Sequence, residues 1–92
     1  MPYIKQEIRD LLDDHIDKLA KIVSEHRFDR AGLVNYITAY LVNRILSQGG
    51  RCYASLNMLV GALECCKLEI YRRLAVPYEN SKITENGDVF DE

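Results

Sequence analysis

Apolar residues recur at three- and four-residue steps along most of the chain. Ile4, Ile8, Leu11, Leu12, Leu19, Ile22 and Val23 keep that spacing, which predicts an amphipathic helix over residues 4–25. Its other side carries Glu7, Asp10, Asp14, Asp17, Lys18 and Lys21, a wet face. Asp13 or Asp14 can cap a fresh start, so a break near residue 12, giving four helices instead of three, stays open. Residues 25–30 read as a connection, with Asp29 the cap of a second helix running to about residue 47 and Gly49 and Gly50 its end. A third helix should begin near Ser55 and stop before Pro77, because proline disfavours helical backbone in the residue ahead of it. Past Pro77 the chain turns polar and acidic, contains the Asn86-Gly87 turn pair, and offers only Ile83, Val89 and Phe90 to bury. That stretch reads as an extended tail without a helix of its own, packing on a neighbour or fraying. The expected division is a helical domain over residues 1–77 and an acidic tail over residues 78–92.

The second and third helices differ from the first. At about 100° per residue, Leu33, Val34, Ile37, Tyr40, Leu41 and Ile45 share one face of the second, while Ala39, Val42 and Leu46 take much of the other. The third groups Leu56, Leu59, Val60, Leu63, Ile70 and Leu74, with Met58, Ala62, Leu68 and Val76 elsewhere. Both are apolar nearly all round, and three helices of this length do not cover two such elements on every side. The pattern predicts an all-α domain whose second and third helices meet a second copy, with two-fold symmetry, as a dimeric bundle. Gly61, Ala62, Cys65 and Cys66 are small enough to let helix backbones approach.

Composition narrows the class. The chain has 92 residues, 48% of them hydrophobic and 28% charged, which fits one small globular domain and argues against disorder. A net charge of -2 without a basic block lacks the electrostatic footprint of a nucleic-acid binder. No stretch approaches the roughly 20 apolar residues of a membrane span, and the first residues lack the apolar core of a signal peptide. Three cysteines, Cys52, Cys65 and Cys66, are an odd number, and an adjacent pair inside a helix does not form an ordinary disulfide. A reducing, cytoplasmic setting follows. With no CxxC spacing and neither His15 nor His26 near a cysteine, no zinc site or other cofactor is expected.

Charges within apolar stripes mark the candidate site. Arg44 falls inside the arc of Leu33, Ile37, Tyr40 and Leu41, and Lys67 lies between Val60, Leu63, Ile70 and Leu74. Glu64 precedes Lys67 by three residues and Tyr71 by seven, so Glu64 and Lys67 can touch along one side of the helix, toward Tyr71. One reading has the cations pairing with Glu64 or Glu69 to set helix register or a dimer interface. The other has them lining a concave site for an anionic ligand, walled by Tyr36, Tyr40 and Tyr71. Arg72 and Arg73 suit the C-terminal end of a helix dipole. Arg73 also stands where it can clamp the tail through Glu79, Glu85 or Asp88. Catalytic schemes fare poorly. All-helical nucleoside triphosphate pyrophosphohydrolases resemble the chain in size and class, but they hold magnesium with carboxylates three and four apart. Glu64 and Glu69 are five apart and diverge by about 140°. Asp10, Asp13, Asp14 and Asp17 have metal-compatible spacing, yet they occupy a face expected to be merely solvated. No P-loop, nucleophile elbow or dinucleotide fingerprint is present. Cys65 and Cys66 read as inert packing, and His15 as a hydrogen-bonded core or boundary histidine.

The run from Leu63 to Arg73 (LECCKLEIYRR), then Pro77-Tyr78-Glu79, Lys82 and Glu85-Asn86-Gly87-Asp88-Val89, resembles an uncharacterised family of small bacterial and phage proteins. The opening Pro2-Tyr3-Ile4-Lys5-Gln6-Glu7 and the Asn35-Tyr36-Ile37-Thr38 segment are similar as well. The resemblance implies no activity; its signature falls on the third helix and the tail, where the charge pattern also points. Together these name Tyr36, Arg44, Glu64, Lys67, Glu69, Tyr71, Arg72, Arg73 and Tyr78 as candidate ligand-binding residues. Two functions compete: a homodimeric interaction or regulatory module, and an oligomeric binder of a small anionic or nucleotide-like ligand. An enzyme ranks behind both.

Overall fold

The computed structural model describes residues 2–91, and among these the chain is helical with no strand. α1 runs unbroken over Gln6–Glu25. The break considered near residue 12 does not occur, because the segment holds neither glycine nor proline and its apolar stripe continues through Asp13 and Asp14. The Lys5 carbonyl opens the helix by accepting from the N–H groups of Ile8 and Arg9, both at 3.1 Å. At the far end the Ser24 hydroxyl donates to the Ala20 carbonyl, and His26 Nδ1 donates to the Ile22 carbonyl, each at 2.8 Å.

A 3₁₀ turn over Arg27–Asp29 leads into α2, Arg30–Gly49. Asp29 occupies the N-cap position, as its place in the sequence suggests, but without a side-chain hydrogen bond to the backbone. Its carboxylate lies over Gly32, where an added Cβ would come 2.7 Å from Oδ1. α2 stops at Gly50, whose φ of 97° is a conformation that only glycine adopts without strain.

α3 spans Tyr53–Ile70, starting two residues earlier than Ser55. The helical run that it opens does not stop before Pro77. A π turn over Tyr71–Ala75 joins it to α4, Val76–Asn86, with Pro77 in the first turn of that helix. The tail expected to lack a helix is therefore helical over most of its length. Proline has no N–H to give, and its ring crowds the carbonyl four residues back. Widening the turn ahead of it, with the Val76 N–H reaching back five residues to the Tyr71 carbonyl, lets the helix pass Pro77 instead of breaking. α4 ends at Gly87, φ 90°, and the Phe90 N–H then bonds Asp88 Oδ1 at 2.9 Å.

Two compact units divide the chain, one over Pro2–Leu59 and one from Val60 onward, the boundary falling within α3. In the first unit α1 packs against α2. Leu46 is the buried hydrophobic residue, 6% exposed, and Val23, Leu33, Ile37, Val42 and Leu59 are half-buried. A hollow of about 110 Å³ beside Leu46 is lined by Ile45, Met58 and Leu59 among others. The broad face of α2 is partly covered at Leu33 and Ile37 and open elsewhere: Val34, Tyr40, Leu41 and Ile45 are exposed. Leu46 and Val42 belong to the opposite face. In the second unit no described residue is buried, and Glu69, Ala75 and Val76 are half-buried. His15, Cys65 and Cys66, expected among packed side chains, are all exposed, because no other element among the described residues covers them.

Candidate functional site

The nine candidate residues divide between the two units. Tyr36 and Arg44 belong to the first, on α2. Tyr36 and Tyr40, one helical turn apart, bring their rings to 5.7 Å with a 42° tilt. Arg44, one turn further, sets its guanidinium 5.3 Å from the Tyr40 ring centre. Steps of four residues keep the three on one side of α2, so they form a ladder of two aromatic rings and a cation.

The other seven lie in the second unit, mostly as short-range pairs. Lys67 Nζ meets Glu64 Oε1 at 3.0 Å, with both side chains more than half exposed. Arg72 Nη2 donates to Glu69 Oε1 at 2.6 Å, and the Glu69 side chain is only 19% exposed. Both pairs are three residues apart, the spacing at which helical side chains touch. The ammonium of Lys82 sits 5.5 Å from the Tyr78 ring centre and also bonds Glu85 Oε2 at 3.1 Å. The expected contact of Glu64 with Lys67 is present. Glu79, offered above as a clamp for Arg73, accepts the Tyr71 hydroxyl proton on Oε1 at 3.1 Å.

That last pairing is the work of the π turn. Residues eight apart diverge by about 80° on a regular α-helix; underwinding over Tyr71–Ala75 brings Tyr71 and Glu79 to the same side. The hydrogen bond to the Glu79 carboxylate, and the negative charge beside it, raise the Tyr71 phenol above its usual range. Helical periodicity gave no cue for Glu79 as a partner of Tyr71, because it presumes a uniform turn. Cys52 was missed for a different reason. Its carbonyl accepts from the Leu56 N–H at 3.0 Å as α3 begins, and its Sγ lies 3.3 Å from Ser55 Oγ. The Ser55 hydroxyl and the N–H groups of Ser55 and Ala54 hold this thiol below its usual range. The spacing Cys-x-x-Ser ahead of an apolar run was the available signal, since a side chain at that position faces the first free N–H groups of a helix.

Two shallow hollows lie elsewhere. One of about 560 Å³ is lined by residues including His26, Arg27 and Phe28. Another, of about 310 Å³, has Ile83, Val89 and Phe90 on its apolar side and Glu79, Lys82 and Asp88 on its polar side. None of the nine candidates lines either one. Among the described residues no three histidine, cysteine, aspartate or glutamate side chains cluster to hold a metal ion; the aspartates of α1 stay dispersed in solvent. Nor is any described helix long and apolar enough to cross a membrane.

Fold and side chains together define a small all-α protein that leaves much apolar surface open and sets Lys67, Arg72 and Lys82 in local pairs with carboxylates. The chain belongs to the family described as a domain of unknown function (DUF6899), which matches residues 1–89. No curated protein and no solved structure matches it. The family assigns no function to the site.

Proposed function

We propose that this chain is the subunit of a small cytoplasmic homodimer, joined through α2 and α3, that works as an interaction or regulatory module. One observation carries the reading: among the described residues Leu46 is the lone buried hydrophobic side chain, while Leu41 of α2 and Val60 of α3 are 57% and 65% exposed. The chain presents 8435 Å² of accessible surface, whereas a monomeric protein of 10.6 kDa presents about 5500 Å². The excess of about 3000 Å² per subunit, about 6000 Å² over two copies, is at the upper end of obligate subunit interfaces. Free, exposed thiols at Cys52, Cys65 and Cys66 suit a reducing compartment.

The competing reading, a binder of small anionic ligands, has less support. Lys67, Arg72 and Lys82 each face a carboxylate within 3.1 Å, so an incoming anion must displace one. Sedimentation of the purified chain across a range of concentrations, with a thermal-shift screen against nucleotides, phosphorylated metabolites and divalent metals, separates the two. The module predicts twice the subunit mass and no shift. A ligand at a hundred times its dissociation constant adds about 2.7 kcal/mol, several degrees for so small a domain, and would favour the binder. A monomer that unfolds cooperatively would overturn the module.

A further inference from the structure

α1 carries a seam of its own. Ile8, Leu12, His15, Leu19 and Ile22 follow one another at steps of four, three, four and three, the a/d spacing of a coiled coil. Leu11 and Ile16 flank this line. Asp10, Asp13, Asp14 and Asp17 fall behind it, so these four carboxylates do not meet whatever covers the seam. The positions beside the seam carry both signs, with Arg9 and Lys18 against Glu25. No residue of α1 is buried. Leu19, the most sheltered of the seam's hydrophobic residues, is still 42% exposed, and Leu11 is 69% exposed.

We propose that the α1 seam of one copy packs on the α1 seam of a second copy, with His15 at the centre of the contact. The inference rests on the reading of the chain as a self-associating subunit and adds to it a surface separate from α2 and α3. Two points select a second copy as the occupant. The six exposed hydrophobic side chains of this stripe leave about 600 Å² uncovered per protomer, approaching the about 800 Å² per partner of an interface of standard size. The stripe is also self-complementary: apolar residues line its centre, and both charge signs stand at its edges, as an isologous contact requires. His15 is then a polar residue in an apolar seam. Such a residue sets register and partner number while weakening association.

Sedimentation of three full-length variants tests this, with helicity followed by circular dichroism. The pair Leu12→Glu and Leu19→Glu is expected to raise the midpoint concentration of dissociation at least tenfold, or to halve the mass. His15→Leu is expected to lower that midpoint about tenfold, and it stays informative if the glutamate variant fails to fold. A histidine standing in solvent would leave the midpoint unchanged on replacement, and that result overturns the proposal. Leu41→Glu on α2 keeps the two readings apart. Dissociation by Leu41→Glu with neither α1 variant having an effect sinks the α1 contact and leaves the α2 and α3 interface standing. Responses from the α1 variants alone support the seam and remove the other interface. A wild-type chain that is monomeric throughout removes both.

Discussion

Replacing Leu41 and Leu46 of α2 by alanine, one at a time, separates what the chain buries by itself from what a second copy must cover. Leu46 is 6% exposed and Leu41 57%, and the two lie about 140° apart on the helix. Deleting a buried leucine side chain costs about 2–5 kcal/mol. Leu46 borders a hollow of about 110 Å³, so its neighbours have room to relax and the lower part of that range, about 2–3 kcal/mol, is expected. For a domain of this size that is a fall in melting temperature of roughly 10–20 °C. Leu41 makes the sharper test. On a chain that functions alone, trimming a side chain this exposed changes stability by about 0.5 kcal/mol or less. Under a second copy it behaves as a core residue, and its loss costs about 2 kcal/mol per subunit and makes melting depend on protein concentration. Calorimetry at two concentrations, with sedimentation alongside, reads both quantities. A Leu41→Ala chain with wild-type melting temperature and mass would refute the argument that exposed α2 residues form an interface.

Gly61 in α3 has nothing within 4 Å of an added Cβ, so Gly61→Ala on an isolated helix is expected to stabilise by about 0.5–1 kcal/mol. If α3 approaches a second copy closely there, the same methyl instead lowers the melting temperature and weakens association, which thermal melts at varied concentration detect. Tyr71 should ionise above the ordinary tyrosine range in an ultraviolet absorbance titration, with Tyr71→Phe identifying its transition and Glu79→Gln bringing it down; a Glu79→Gln titration matching the wild type would refute the pairing. Because this bond raises the phenol in the folded chain, its stabilisation is complete below the unfolded value of about 10 and is lost as pH rises through the raised one.

Local chemistry determined most of the helices. The three- and four-residue periodicity located α1 and α2, Asp29 and Gly50 marked their junctions, and apolar residues all round the second and third helices announced surface that one chain leaves uncovered. These features depend on residues within a turn or two of each other, and a sequence states them directly. The tertiary structure decided the rest. Pro77 reads as a stop, yet the π turn over Tyr71–Ala75 carries the helix past it, and the rotation so introduced joins Tyr71 to Glu79. On α2 the wider apolar face drew attention, but the chain buries Leu46 on the narrower one, because burial is set by which distant element arrives, here the start of α3 with Met58 and Leu59. The nine candidate residues followed the same rule. Glu64 and Lys67 pair as their spacing implied, whereas Tyr36 and Arg44 stand in a different unit from the other seven, a division that helical period alone does not encode.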